Sequence, residues 1–351
     1  MPVSPTHTSL TRQSNIELLR ILSMLMVIGL HANFESLGYP HPRPVQAAPW
    51  SWLGMIATEQ SCISCVDTFV LITGWFGTHF KLRRFGGLLF QVFFISLLMS
   101  GGLWLLTGKI PGSPFDIIAA GWHYWFVYSY LLLYLFTPML NSWVEQCGES
   151  GLRRFIILFM VFAIPFSFCL NDLSRGFSAI WFMGLYLLGR YLRLYLAPKL
   201  GKVGKGRIAL VWGICVAGMT AAYWAHIYWR NPLLPHLPSF MTAYTNPLTV
   251  VCAVCLLLFF DRLHFRSRLV NWLAAGSLTV YLTHQQAFVR PYFFDLYRQL
   301  DRQFSGIGVF LAGVAVAGLI YVASACVDTL RRSAWRQVDK IGNRSSKKRV
   351  D

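Results

Sequence analysis

The segment SNIELLRILSMLMVIGLHANF places Arg20 and His31 in an otherwise apolar run. They are 11 residues apart, so on a helix they share one face and stand about 16.5 Å apart along its axis. An ionisable side chain inside a bilayer is costly unless it faces a polar interior, so such a stripe points to a working surface. Neutral imidazole is suited to act as a general base or an acyl acceptor near physiological pH, and guanidinium is suited to phosphate. Taken singly, Arg20 also reads as a helix-end residue paired with Glu17 at i−3, and His31 as a packed, hydrogen-bonded histidine. One shared face accounts for both together.

Two more runs carry polar groups at depth. In WLGMIATEQSCISCVDTFVLITGWF, Gln60, Ser64 and Thr68 repeat at i, i+4 and i+8 with Asp67 alongside, which predicts a polar face turned to a water-containing cavity. Asp67 has two readings, a pairing partner for Arg20 or a functional group in its own right. In LAAGSLTVYLTHQQAFVRPYF, Ser277, Tyr281 and His284 fall at i, i+4 and i+7, and Arg290 follows. His284 and Arg290 reach the level of His31, as does His123 in GWHYWF. There Trp122, Tyr124, Trp125 and Phe126 suit either an interfacial belt or a carbohydrate platform.

The elements that hold these groups follow from composition. The chain has 351 residues, 55% hydrophobic and only 13% charged, which excludes a soluble enzyme and a disordered chain. Apolar runs near 16–34, 52–76, 86–106, 122–140, 155–170, 178–196, 207–226, 246–260, 269–288 and 306–327 predict an all-α polytopic membrane protein, a bundle of about ten transmembrane helices. No segment reads as a separate soluble unit, so residues 1–351 are expected to be a single integral-membrane domain with a basic tail over about 328–351. The first run has neither a charged leader nor a cleavage site and reads as a retained helix.

Charge sets the orientation. When connections alternate between faces, 23 of the 31 Lys and Arg fall on one face and 7 on the other, with Arg20 inside the first helix. The positive-inside rule puts both termini in the cytoplasm. The net charge of +17 thus serves the membrane rather than a nucleic acid, and the tail SSKKRV fits a lipid-headgroup contact. The eight cysteines include two C-x-x-C pairs, Cys62 with Cys65 and Cys252 with Cys255; each pair is expected on one helical face as packing residues, not as metal ligands.

R-x10-H from Arg20 to His31, VDTFVLITGWF at 66–76 and WHYWFVYSYLLLYLFTPML at 122–140 together resemble the membrane acyltransferase-3 family, over nearly the whole chain. Thr73 stands where a Ser before Gly74 is more familiar. The resemblance implies acyl transfer, usually acetyl, from cytoplasmic acyl-coenzyme A to a sugar hydroxyl at the outer face. The acceptor would be surface polysaccharide or a lipid-linked precursor, and the enterobacterial-common-antigen acetyltransferases are similar in size and layout. It implies a multi-pass protein of the cytoplasmic (inner) membrane, with His31 as the catalytic histidine and Arg20 near the coenzyme. Acetyl-coenzyme A enters as donor substrate, its phosphates expected at Arg20, Arg83 and Arg84, while Asp67, His123, His284 and Arg290 are candidates for the pore or acceptor site. A transporter or flippase for a polar solute or lipid-linked sugar is the competing class, since buried charges also mark transport paths. Matched broken-helix repeats, the mark of many carriers, do not stand out. A scaffold for polysaccharide assembly is a third reading.

Overall fold

The computed structural model describes residues 13–108, 121–170, 173–230 and 232–347. Arg12, Lys109 and the end of the basic tail beyond Lys347 lie outside them. Among the described residues there is no strand; the protein is all-α. The principal helices are α1 (Ser14–Ala32), α2 (Pro49–Cys62), α3 (Cys65–Trp75), α4 (Leu82–Thr107), α5 (Trp125–Leu170) and α6 (Ala179–Tyr191). They continue with α7 (Lys205–Trp229), α8 (Pro247–Asp261), α9 (Arg268–Ala275), α10 (Ser277–His284), α11 (Arg290–Gln303) and α12 (Ile307–Lys347). Among the described residues, six helical stretches are long and apolar enough to cross a membrane: Ser14–Leu37, Pro49–Trp75, Leu82–Thr107, Trp125–Ser167, Lys205–Trp229 and Ile307–Lys340.

The expected runs near 122 and 155 fall on one broken helix. Gly148 in α5 has φ of 64°, a left-handed value that glycine adopts freely. The chain doubles back there. Trp143 and Phe155 would stand about 18 Å apart on a straight helix, yet their rings are 5.0 Å apart. The far ends of the two halves meet again through Tyr244 and Thr245, which touch Trp125 and Ser167 respectively. The runs near 178 and 246 are the shorter helices α6 and α8, and the run near 269 is two eight-residue helices, α9 and α10.

α1 lies at the centre, packed among α2, α3, α8, α9, α10 and α12. α4, α5 and α12 form the periphery and leave Phe93, Leu105, Phe162 and Leu319 exposed, as a lipid-facing surface requires. The tightest approach is between α3 and α6. A Cβ at Gly74 would fall 2.2 Å from the carbonyl oxygen of Tyr186, and one at Gly189 would fall 2.5 Å from that of Leu71. Small residues let two backbones meet in this way, which gives the glycine of the T-G-W-F stretch a structural role.

Two sequence expectations need correction. Ile63 and Ser64 form a turn between α2 and α3, so Cys62 and Cys65 do not share a helix. The same turn splits the stripe of Gln60, Ser64 and Thr68. All three are fully buried, and the cavity beside His31 is lined instead by Glu59, Ile63, Cys65, Val66 and Phe69. The 3.6-residue period holds only while the helix is unbroken.

Candidate active site

A cavity of about 120 Å³ follows one face of α1, from Glu35 and His31 through Val27 to Met24. At about 30 Å³ per water molecule it admits roughly four, the reacting end of a substrate rather than a nucleotide. The opposing wall comes from α2 and α3, and the rest from Tyr39, Trp125, Phe126, Arg175, Phe177, Thr242, Tyr244 and Tyr281.

His31 and His284 meet across this space. His31 Nδ1 lies 3.0 Å from His284 Nε2, and His284 Nδ1 lies 2.5 Å from the carbonyl oxygen of Val280. A carbonyl only accepts, so His284 carries its proton on Nδ1 and offers the lone pair of Nε2. His31 must then donate from Nδ1, which leaves its Nε2 as a bare acceptor. That nitrogen has no hydrogen-bond partner among the described residues, and His31 faces the cavity. α10 positions His284, which is almost fully buried. The arrangement is a base whose tautomer and ring orientation are fixed by a neighbour.

Arg290 and His123 form the adjoining layer. Arg290 donates from Nη1 to His123 Nε2 at 3.2 Å and from Nη2 to Glu35 Oε2 at 2.7 Å, and its guanidinium sits 4.5 Å from the centre of the Phe294 ring. The Tyr281 hydroxyl donates to the His123 carbonyl oxygen at 2.7 Å. Four residues expected at one level of the membrane, His31, His123, His284 and Arg290, therefore form one cluster. Tyr124, Trp125 and Phe126 of GWHYWF turn inward rather than forming a belt. Tyr124 is buried and donates to the Leu282 carbonyl oxygen, while Trp125 and Phe126 line the cavity.

The other candidates lie apart. Arg20 shares the face of His31, one turn beyond Met24, where it pairs with Glu17 at 2.9 Å and sits 5.8 Å from the centre of the Phe76 ring. Asp67 does not reach Arg20; it is fully buried and accepts from Trp181 Nε1 at 3.2 Å. Arg83 and Arg84 are exposed at the start of α4, and Arg83 is ion-paired with Asp339. Arg190 and Arg193 reach the same end of the bundle, Arg190 against Gly77 and Arg193 4.9 Å from the centre of the Trp75 ring.

Sequence reasoning left out Glu35, Arg175, Tyr39 and Tyr244 from the site, and gave Glu59 no role. Glu35 stands four residues after His31 but beyond the helix break at Asn33, so helical spacing alone does not place it. Glu59 Oε2 accepts from Asn33 Nδ2 at 2.8 Å. Burial, then the carboxylates of Glu35 and Glu59, raise the pKa of Tyr39 above its ordinary value, while Arg175 and Arg290 pull it back. Tyr39 thus stands within reach of Glu35, Glu59 and Arg175 of the cavity lining and of Arg290 behind it. Arg175 and Tyr244 come from connections and carry no periodic signal.

A bare imidazole nitrogen thus faces a small cavity at one end of α1, and the other end of the same helix carries a guanidinium. Residues 13–325 match the family model described as the acyltransferase domain of the acyltransferase-3 family. The chain belongs to that family and is a membrane acyltransferase. No curated protein and no solved structure matches it.

Proposed function

We propose that the protein is an O-acyltransferase of the inner membrane, working as one domain. It moves an acyl group, acetyl by preference, from cytoplasmic acyl-coenzyme A to a hydroxyl of a surface polysaccharide or lipid-linked sugar at the outer face. The observation that carries this reading is the unpartnered His31 Nε2 at the cavity, with its ring held by His284.

The chemistry follows from that nitrogen. His31 Nε2 takes the proton of the acceptor hydroxyl as the hydroxyl oxygen attacks the thioester carbonyl carbon. The imidazolium formed is stabilised because its Nδ1–H already donates to His284 Nε2. When the tetrahedral intermediate collapses, the C–S bond breaks and the coenzyme thiolate recovers the proton from His31 Nε2. No net proton is consumed, so the buried site needs no proton path of its own.

Phosphates do not cross a bilayer, so the nucleotide stays among the arginines of the other end. Arg20, Arg83 and Arg84 are assigned to it, with the pantetheine arm running along the α1 face past Met24. The experiment is transfer of label from acetyl-coenzyme A to glycan in vesicles holding the purified protein. Wild type should label glycan and His31→Ala should not; solute flux without transfer would favour a carrier, and full activity in His31→Ala would sink the assignment.

A further inference from the structure

The charges around the cavity are not alike. Arg290 is neutralised by Glu35, and Glu59 is held by Asn33. Arg175 has neither. It lines the same cavity as His31, yet its guanidinium makes no ion pair among the described residues. Its side-chain hydrogen bond is from Nη2 to Thr242 Oγ1 at 2.5 Å, and its Nε is buried without a partner. A guanidinium stays charged at any physiological pH and carries five donors in a plane. With its Nε buried and no anion beside it among the described residues, the guanidinium is a ready partner for an incoming anion.

Its position is built rather than incidental. Arg175 has φ of 58°, in the left-handed region where a non-glycine residue is strained. The strain is held by its carbonyl oxygen, which accepts from the Tyr244 backbone N–H at 3.1 Å. Gly176 follows with φ of 95°, so close to Tyr244 that an added Cβ would lie 2.8 Å from the Tyr244 Cβ. The next residue, Phe177, joins Trp125 and Tyr244 in an aromatic wall whose ring centres are 4.3 to 5.8 Å apart. Glu35 and Glu59 line the same cavity. A ligand with an apolar ring face and one negative group can lay its ring on the aromatics and its anion on Arg175.

We infer that the acceptor of this enzyme is an anionic sugar, bearing a carboxylate or phosphate near the hydroxyl that is acylated, and that Arg175 holds that group. The inference rests on the acyltransferase reading above and names its substrate class. It makes Arg175 a specificity-determining residue, with no part in the proton transfer at His31.

The test uses glycan extracted from source cells whose protein carries His31→Ala, which should be unacylated. The extract is offered to full-length wild-type protein in vesicles, with labelled acetyl-coenzyme A, in three forms: untouched, carboxyl-reduced, and dephosphorylated with aqueous hydrofluoric acid. Labelling should fall at least tenfold after one of the two treatments, which also tells carboxylate from phosphate. Equal labelling of all three would overturn the inference. Arg175→Met should raise the apparent KM for untouched glycan at least tenfold and leave that for acetyl-coenzyme A unchanged, with Arg175→Lys recovering part of the loss. A fall in kcat at unchanged glycan KM would mean that Arg175 only shapes its loop, and would overturn the assignment to it. Wild-type protein that labels no form of the glycan would instead sink the acyltransferase reading itself.

Discussion

The two ends of α1 are built in opposite ways. At the Arg20 end, charge is neutralised by neighbours in the sequence and left partly in contact with the surroundings: Arg20 pairs with Glu17 three residues before it, and its side chain is 31% exposed. At the His31 end, polar groups from distant parts of the chain are brought together: His284 is buried, while the side chains of Arg290 and Glu35 stay 28% and 33% exposed. His31 meets His284, 253 residues away, and Arg290 meets Glu35, 255 residues away. The first construction tolerates water and a large, charged, exchangeable ligand. The second fixes a single nitrogen at the wall of a small cavity, where a buried unpaired polar group costs about 1–3 kcal/mol and a proton transfer is correspondingly sensitive to geometry.

The largest break in this contrast comes from His31→Ala. A positioned general base supplies about 10² to 10⁴ in rate, so kcat for acetyl transfer should fall by that factor while the protein inserts and folds normally. His284→Ala comes next. It removes the partner of a charged hydrogen bond worth about 1.5–3 kcal/mol, or roughly ten- to a hundredfold in kcat. KM for acetyl-coenzyme A should not move, and His284→Gln should restore part of the rate. Gly74→Ala tests the frame between the two ends. Overpacking at the α3–α6 contact should cost about 1–3 kcal/mol, seen as a lower Tm in detergent and a loss of activity in proportion to folded protein. Arg20→Ala should have the smallest effect, a few-fold rise in apparent KM for acetyl-coenzyme A with little change in kcat. An unchanged KM would remove Arg20 from coenzyme binding, and a collapse of kcat would place it with His31 instead.

The contrast also decides what could be read from the sequence. The shared face of Arg20 and His31 was legible because α1 is unbroken and the 3.6-residue period runs its full length. The all-α membrane class was legible because a bilayer demands long apolar runs, and the level of His123, His284 and Arg290 followed from counting along each run. The pairing of His31 with His284 was not legible, because a period fixes depth and face but not which helices are neighbours. The polar stripe of Gln60, Ser64 and Thr68 misled because a two-residue turn at Ile63 and Ser64 changes which side faces the cavity. α11 was missed although Phe293, Tyr297 and Leu300 recur at helical spacing, because its charged residues place it outside any apolar run. It packs Tyr297 against Gly313, and Ser36 beyond α1 bonds to Phe294 and Arg298. Arg175 was the least visible of all. Its proposed role rests on a strained turn and on the lack of a counter-ion among the described residues, neither of which leaves a periodic pattern.

The span between His31 and His284 has a consequence for biosynthesis. The first partner enters the membrane near the start of translation and the second only after most of the chain has been made. A ribosome that stalls before α10 releases a product with the cavity wall of α1 and no neighbour to hold the imidazole in its working tautomer. The pair of imidazoles therefore exists only in a chain synthesised through α10.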